Sequence, residues 1–350
     1  MLSYDVVEWG KPLEKAERET PEPKGSEVLL KLKHCGVCHS DVHIREGYFE
    51  LGGGKRLPMS ERGMHLPVTL GHEPYGTITA AGPEVDGALI GADRLVYPWT
   101  GCGNCRRCNE GLDNFCMAPR CIGLQRPGGY ADYLLVPHPR YLVDAGGIDP
   151  AWAATLSCSG LSAYSALSKL NPIPLDEWVA VIGAGGLGLS AIAMLRAMGH
   201  ERIVASDVNM AKLNAAEKAG AAATVNSCEE GAAEQIKRIA GGHLYGAVDF
   251  VGTADTASLA LGALRKGGRL ILVGLYGGEI PLSLVGAIQR ALTIQGSHLG
   301  SVDELRQIVA LAREGKLQPI PIQKRPLSEV SRTLDELKAG AVVGRVVVEM

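Results

Sequence analysis

The chain has 350 residues and a formal net charge of −3, with lysine and arginine spread along its length. This length favours two domains, and the charge pattern excludes both the basic field of a nucleic-acid-binding protein and a polybasic membrane patch. Because no stretch approaches the roughly 18 apolar residues of a membrane span and the first residues lack a cationic segment before an apolar one, we expect a cytoplasmic protein that acts on a small molecule.

Short β-rich runs dominate the first part of the chain. Examples are Glu27–Lys33, Tyr75–Ala80 and Ala131–Val136, which glycine and proline separate from one another. Runs of this length between such breaks are typical of strands in a compact barrel or sandwich. We therefore expect residues 1–158 to form a β-rich domain.

A loop of glycines, asparagines and charged residues carries four cysteines, Cys102, Cys105, Cys108 and Cys116. Their spacing, C-x2-C-x2-C-x7-C, fits tetrahedral thiolate coordination of zinc with no position left for a substrate, so we predict a structural zinc site. An iron–sulfur cluster also uses four cysteines, but the spacing differs from the ferredoxin run C-x2-C-x2-C-x3-C-P. A zinc ribbon that binds nucleic acid would need positive charge that this chain lacks.

Further along the chain, strands alternate with helices. Trp178–Ile182 is an apolar strand followed by a glycine-rich turn and a helical pattern, and Arg202–Ser206 precedes a second helical pattern at Met210–Ala219. Four more apolar runs follow, up to Gln295. The alternation predicts an α/β fold, a doubly wound parallel sheet with helices on both faces, over residues 159–297. Residues 298–350, which end in the strand Arg345–Glu349, are assigned to the first domain.

The glycine-rich turn between the apolar strand and its helix comprises Gly183, Ala184, Gly185, Gly186, Leu187 and Gly188. In that context its backbone N–H groups and the positive helix end can hold a pyrophosphate, whereas other such turns only join a strand closely to a helix. Asp207, nineteen residues after Gly188, would accept hydrogen bonds from ribose hydroxyls and repel a 2′-phosphate, which predicts NAD rather than NADP. The alternative is that Asp207 caps the next helix, as Asn209 could also do. Lys212 either approaches the same ribose or is a solvated surface lysine.

A second metal site is indicated by three residues far apart in the sequence, Cys38, His72 and Cys158. Each alone is a weak signal, because a lone cysteine is usually a small buried hydrophobe and a lone histidine a satisfied polar group. Together, two thiolates and one imidazole make an open three-ligand zinc site with its fourth position free for a substrate oxygen.

With these motifs the chain resembles the medium-chain, zinc-dependent alcohol dehydrogenases over almost its whole length. The resemblance is carried by Gly36–Asp41 with His43, Gly71–Glu73, the four-cysteine loop, Cys158 with Ser162, the glycine-rich turn with Asp207, and Gly344 with Arg345. It implies a GroES-like catalytic domain, a Rossmann domain with the active site between them, two zinc ions per subunit, and a homodimer or homotetramer. The stretch Tyr48–Leu66 is most similar to bacterial enzymes that oxidise primary alcohols, including the 6-hydroxyhexanoate dehydrogenases.

The resemblance also implies catalytic roles. Asp41 would accept the second imidazole N–H of His72, or is a simple turn aspartate, and Glu73 resembles the carboxylate that approaches the metal in this family. Ser40 would bond the alcohol hydroxyl and pass its proton through the nicotinamide ribose to His43, whose near-neutral pKa suits delivery to water. The alternative for Ser40 is a helix cap.

Cofactor-binding roles follow in the same way. Ser162 would lie against the nicotinamide, and Arg345 would pair with the pyrophosphate, for which a guanidinium fork is well shaped. His39 would also reach the pyrophosphate, at a position where some relatives have arginine. Leu187 and Val273 complete the predicted NAD-binding set.

The predicted substrate pocket has apolar walls, assigned to Tyr48, Trp99 and Leu124, any of which could instead be ordinary core. Three cations in the stretch before the Gly-His-Glu motif would attract the carboxylate of a hydroxy acid, or are solvated loop charges: Lys55, Arg56 and Arg62.

Together these features predict an NAD-dependent zinc alcohol dehydrogenase that reversibly oxidises primary alcohols, ω-hydroxy acids among them, to aldehydes. A polyol or secondary-alcohol dehydrogenase of the same superfamily is the first alternative. An inactive, zinc-stabilised binding protein is the alternative from another class. Its sign would be the loss of a zinc ligand or relay residue, and none of these is missing.

Overall fold

The computed structural model describes all residues from Met1 to Met350, and two sheets dominate it. In the β-rich half the elements are β1 (Leu2–Val6), β2 (Glu14–Glu17), β3 (Val28–Val37), α1 (His39–Glu46), β4 (Tyr48–Gly52), β5 (Lys55–Pro58), β6 (Val68–Thr69), β7 (Pro74–Ala81), β8 (Asp93–Val96), α2 (Arg106–Asn109), β9 (Tyr133–Val136) and β10 (Leu142–Val143). They are followed by α3 (Pro150–Thr155) and α4 (Leu161–Ser168).

The second half alternates strands and helices as predicted. Its elements are β11 (Trp178–Ile182), α5 (Gly186–Ala197), β12 (Ile203–Asp207), α6 (Met210–Ala219), β13 (Ala223–Asn226), α7 (Ala232–Ile239), β14 (Leu244–Asp249), α8 (Ala254–Ala263), β15 (Leu264–Leu272), α9 (Leu284–Arg290) and β16 (Thr293–Gly296). The chain ends with α10 (Val302–Arg313), β17 (Ile322–Pro326), α11 (Val330–Lys338) and β18 (Arg345–Glu349).

The larger sheet of the β-rich half has the order β10-β8-β7-β3-β18-β17, with β9 also paired to β3. β3 is buried at both ends and pairs antiparallel with β7, β9 and β18. The last strand of the chain therefore lies beside β3, and Val346 stands opposite Val37. This pairing brings the C-terminal Arg345 next to the segment that begins α1.

The second sheet has six parallel strands in the order β13-β12-β11-β14-β15-β16, as expected for a doubly wound fold. The strand order reverses between β11 and β14, and ligands bind outside the carboxyl ends of strands at such a switch point. β11 is apolar because helices cover both of its faces, and Val179, Ala180 and Val181 are fully buried. The predicted fold class, a doubly wound sheet with a β-rich domain, is confirmed.

None of the helices has both the length and the apolar composition needed to cross a membrane.

Candidate active site

Cys38, His72 and Cys158 lie together although 120 residues separate the two cysteines in sequence. Cys38 is the residue before α1, His72 lies between β6 and β7, and Cys158 lies in a π-helical turn, 156–160, between α3 and α4. Such turns are rare and often occur at functional sites. The Sγ atoms of the two cysteines are 3.8 Å apart, and the ligand atoms of all three residues and Glu73 lie within 4.8 Å of one another.

The orientation of His72 is set by Asp41. Nδ1 of His72 lies 3.0 Å from Oδ1 of the fully buried Asp41, which also accepts hydrogen bonds from the Cys38 amide and the Tyr130 hydroxyl. Nε2 of His72 is buried and has no hydrogen-bond partner. A buried imidazole nitrogen without a hydrogen-bond partner and two thiols form a set of donors that zinc binds. The three residues therefore fit a catalytic zinc.

Glu73 and Arg345 form a buried ion pair behind this site. Burial raises the pKa of Glu73 to about 7, although the neighbouring Arg345 guanidinium acts in the opposite direction. A Cβ placed on Gly186 would lie 2.2 Å from Cδ of Arg345, so the arginine also packs on the glycine-rich turn. Arg345 is predicted from the sequence to pair with a pyrophosphate; in this structure its guanidinium pairs with Glu73, because β18 and the residue that precedes β7 both lie beside β3.

The glycine-rich turn has the predicted strand–turn–helix context. Gly183 follows β11 with a φ of 89°, and a Cβ on Gly188 would lie 1.9 Å from the carbonyl oxygen of Gly183. Only glycine therefore allows α5 to begin so close to the strand. The resulting cradle of backbone amides at the start of a 12-residue helix fits the pyrophosphate of a dinucleotide.

Asp207 lies at the carboxyl end of β12, next to this turn. Its carboxylate accepts hydrogen bonds from the amides of Ala184, at 2.8 Å, and Asn209, at 3.0 Å. The cap of α6 is Asn209, which accepts from the Ala211 amide. The alternative in which Asp207 caps that helix is therefore wrong.

A cleft of about 140 Å³ lies between the two halves, at the switch point. It is lined by eleven of the residues predicted for the site: Cys38, His39, Ser40, His43, His72, Trp99, Leu124, Cys158, Ser162, Leu187 and Val273. Asp41 and Glu73 lie behind this lining, and the half-buried Lys212 lies outside it. Eleven predicted residues from distant parts of the sequence thus line one cavity.

Tyr48 corrects the predicted pocket. It lies in the β4–β5 hairpin with its ring 4.0 Å from the guanidinium of Arg56, and its neighbour Phe49 lines the cleft instead. Successive residues of a strand point to opposite faces, so an assignment wrong by one residue selects the wrong side chain.

The proton-relay candidates lie in α1. Its N-cap residue is Cys38, so the alternative of Ser40 as the cap is wrong. Burial lowers the pKa of His43, and burial, followed by the neighbouring His43, lowers the pKa of His39 to about 4. Both rings are therefore neutral near pH 7, and a neutral imidazole can accept a proton.

Several lining residues were missed by the sequence analysis, notably Phe49, Phe250, Tyr276, His298 and Leu299. Phe250 directly follows β14, and Tyr276 follows β15 by four residues. The rule that ligands bind outside the carboxyl ends of parallel strands could have indicated both. Leu299 has a φ of 56°, a strained conformation for leucine that the sequence does not reveal.

The four-cysteine loop forms a second cluster, with the four sulfur atoms within 4.8 Å of one another. Sγ of Cys105 lies 3.5 Å from Sγ of Cys108 and 3.7 Å from Sγ of Cys116. A Cβ on Gly101 would lie 2.4 Å from Sγ of Cys108, so the loop closes tightly around the sulfur atoms. Four thiols and no other donor fit a closed, structural zinc site.

Comparisons with known proteins agree with this geometry. A family model described as an alcohol dehydrogenase GroES-like domain matches residues 24–145, and one described as a zinc-binding dehydrogenase matches residues 186–314. The chain is 37% identical to an NAD-dependent alcohol dehydrogenase of Sulfurisphaera tokodaii over 99% of each chain. Its fold matches an alcohol dehydrogenase of Aeropyrum pernix with a TM-score of 0.90 and 30% identity, covering 100% of both chains. It also matches a D-arabinose dehydrogenase of Sulfolobus solfataricus, with a TM-score of 0.83 and 28% identity, over 100% of this chain and 99% of that one.

Proposed function

Because the chain belongs to the medium-chain, zinc-dependent alcohol dehydrogenase family, we propose that it reversibly oxidises primary alcohols, ω-hydroxy acids among them, to aldehydes. It is an NAD-dependent alcohol dehydrogenase whose cofactors are NAD and zinc. The dehydrogenase chemistry is carried by one observation: the buried, unpartnered Nε2 of His72 belongs to a residue that lines the same cleft as Cys38, Cys158 and Leu187 of the glycine-rich turn.

The chain's own residues prepare the chemistry. When bound, zinc polarises the hydroxyl oxygen of the alcohol and NAD accepts the hydride. Asp41 accepts a hydrogen bond from the Nδ1–H group of His72 and so leaves Nε2 as the metal-facing donor. The Ser40 hydroxyl would accept a hydrogen bond from the substrate hydroxyl and release its own proton as it takes the substrate's, and the neutral His43 imidazole would receive the released proton for delivery to water. The Arg345 guanidinium balances the charge of the Glu73 carboxylate, so this pair adds no net charge near the metal site.

The polyol or secondary-alcohol alternative is supported by the match to a D-arabinose dehydrogenase. The cleft lining argues against a polyol, because Phe49, Trp99, Leu124 and Leu299 are apolar or aromatic. The inactive-protein alternative has no support, since every zinc-ligand and relay candidate is present.

The hydroxy-acid specificity rests on Arg62. Lys55 is exposed, and Arg56 is exposed and paired with Glu50 at 2.9 Å. Arg62 lines the cleft, lies 5.0 Å from the Phe49 ring centroid, and forms no ion pair with a carboxylate. Burial lowers its pKa, as expected for a guanidinium without a partner anion. A partly desolvated, unpaired arginine is well suited to bind a carboxylate.

We expect Arg62→Gln to lower kcat/KM for 6-hydroxyhexanoate by about 30-fold, the equivalent of one charge-assisted hydrogen bond, with little change for 1-hexanol. The matched control is Arg56→Gln, which removes an exposed guanidinium already paired with Glu50 and leaves both values unchanged. Equal kcat/KM for the acid and 1-hexanol in the unmodified protein would contradict the hydroxy-acid specificity without affecting the zinc site.

Metal analysis of the purified protein is expected to give about two zinc ions per chain, one for each cluster. Cys116→Ser is expected to lower this to about one and to reduce thermal stability markedly, because a structural zinc contributes folding free energy. A single zinc in the unmodified protein, measured by mass spectrometry, would contradict one of the two sites.

We divide the chain into a catalytic domain, residues 1–158 and 298–350, and an NAD-binding domain, residues 159–297, and we propose a homodimer or homotetramer. The edge strand β16 and the exposed apolar residues Leu284, Val285 and Ile288 of α9 support assembly through the NAD-binding domain. Light scattering is expected to give a multiple of 36.9 kDa, and the mass of a single chain would contradict the assembly.

A further inference from the structure

His43 is enclosed by three aromatic rings. The ring centroids of His39 and Phe49 lie 5.1 and 5.5 Å from that of His43, and Tyr276 meets His43 edge-on at 5.8 Å with an interplanar angle of 89°. His39 and Phe49 belong to the same half of the molecule as His43. Tyr276 comes from the other half, in the segment 274–279 that follows β15. It is therefore an aromatic contact from the NAD-binding half to the relay histidine.

The position of Tyr276 is fixed by backbone contacts on two sides. A Cβ on Gly277 would lie 2.1 Å from the carbonyl oxygen of Glu50, and one on Gly52 would lie 2.9 Å from the amide nitrogen of Glu279. The segment 274–279 thus lies directly on the β4–β5 hairpin, with glycine on each side of the contact. On its inner side the Tyr276 amide donates to the carbonyl of Val251 at 3.2 Å.

The Tyr276 side chain meets both histidines with its ring. The side chain is exposed, so it contributes little to the core. The ring centroid of Tyr276 lies 4.7 Å from that of His39 at a tilt of 35°, so Tyr276 packs against both histidines. A ring in van der Waals contact restricts the rotamers that an imidazole can adopt.

We propose that Tyr276 is a positioning residue for His43, held across the interdomain cleft by the glycine contact between segment 274–279 and the β4–β5 hairpin. This inference rests on the relay role proposed above for His43. A relay imidazole must be held in the orientation that receives the proton, and a displacement of about 1 Å in such a group can cost up to 100-fold in rate.

A double-mutant cycle tests the proposal, because residues that act through one another show non-additive effects. For kcat/KM of alcohol oxidation, we expect a loss of about 100-fold for His43→Gln and about 10-fold for Tyr276→Leu. The double variant should be no worse than His43→Gln alone. Tyr276→Phe keeps the ring and should remain within about twofold of the unmodified protein.

A second variant tests the backbone contact. Gly277→Ala displaces the segment from Glu50 and should reproduce the loss of Tyr276→Leu, again only while His43 is present. Leu282→Ala, an exposed apolar position in the following loop, is the surface control and should match the unmodified protein. Zinc content and Tm are measured for every variant to confirm folding.

The outcomes separate the two proposals. Additive losses, about 1000-fold in the double variant, would show that Tyr276 acts on the cofactor or substrate and would overturn the positioning role. Tyr276→Leu with unmodified activity would overturn it as well. An active His43→Gln variant would instead contradict the relay itself, and with it this inference.

Discussion

Cys38→Ser is expected to lower kcat for alcohol oxidation by at least about 10⁴-fold, because the substitution removes one of the three proposed protein ligands of a zinc ion that would supply several kcal/mol of transition-state stabilisation. The serine hydroxyl is a poor replacement, since its proton is not lost near neutral pH. The fold should survive because Cys38 contributes a small side chain at the start of α1. Steady-state kinetics with NAD and a primary alcohol provide the measurement, and zinc content should fall from about two to about one per chain.

The matched control for this prediction is Cys35→Ser, three residues earlier. Cys35 is also fully buried, but its Sγ points to the carbonyl oxygen of Gly36 and lies outside both metal clusters. We expect this variant to keep both zinc ions and most of the activity. Alcohol oxidation retained by Cys38→Ser would refute the assigned catalytic site. Loss of both metals with loss of structure would show that Cys38 is a folding determinant instead.

The parts of the site that could be predicted from sequence are those in which residue type and local spacing determine the chemistry. The loop with Cys102 and Cys116 and the turn from Gly183 to Gly188 are contiguous, so backbone geometry alone brings their atoms together. Cys38, His72 and Cys158 could be assembled only because few other residue types can ligate zinc. Their convergence depends on tertiary packing that no local pattern encodes.

The parts that could not be predicted depend on direction and on distant partners. Whether Tyr48 or Phe49 faces the cleft is decided by the register of the β4–β5 hairpin, and a shift of one residue exchanges the faces. The partner of Arg345 is Glu73, 272 residues away, because the last strand pairs with β3. Two guanidinium roles, binding a carboxylate and binding a phosphate, are indistinguishable in sequence.

Substitution of Asp207 is the second change with a large expected effect, which is a change of cofactor preference. Its carboxylate stands at the end of β12 beside the glycine-rich turn, half-buried and facing the start of α5. There it would accept hydrogen bonds from the ribose hydroxyls and repel the 2′-phosphate of NADP. We expect Asp207→Ser to lower the ratio of kcat/KM with NAD to kcat/KM with NADP by about 100-fold, the sum of a lost charge-assisted hydrogen bond and a removed repulsion.

The structure also shows why the ratio, and not the activity with NAD alone, is the informative quantity. Asp207 holds the turn through the Ala184 amide, so its loss should weaken binding of both cofactors to a similar extent, and this common effect cancels in the ratio. Asn209→Ala is the matched control: it removes the cap of α6 and should cost about 1 kcal/mol of stability with no change in cofactor preference. If Asp207→Ser behaves like Asn209→Ala, with lower Tm and an unchanged ratio, then the carboxylate only supports the turn and another residue must select NAD.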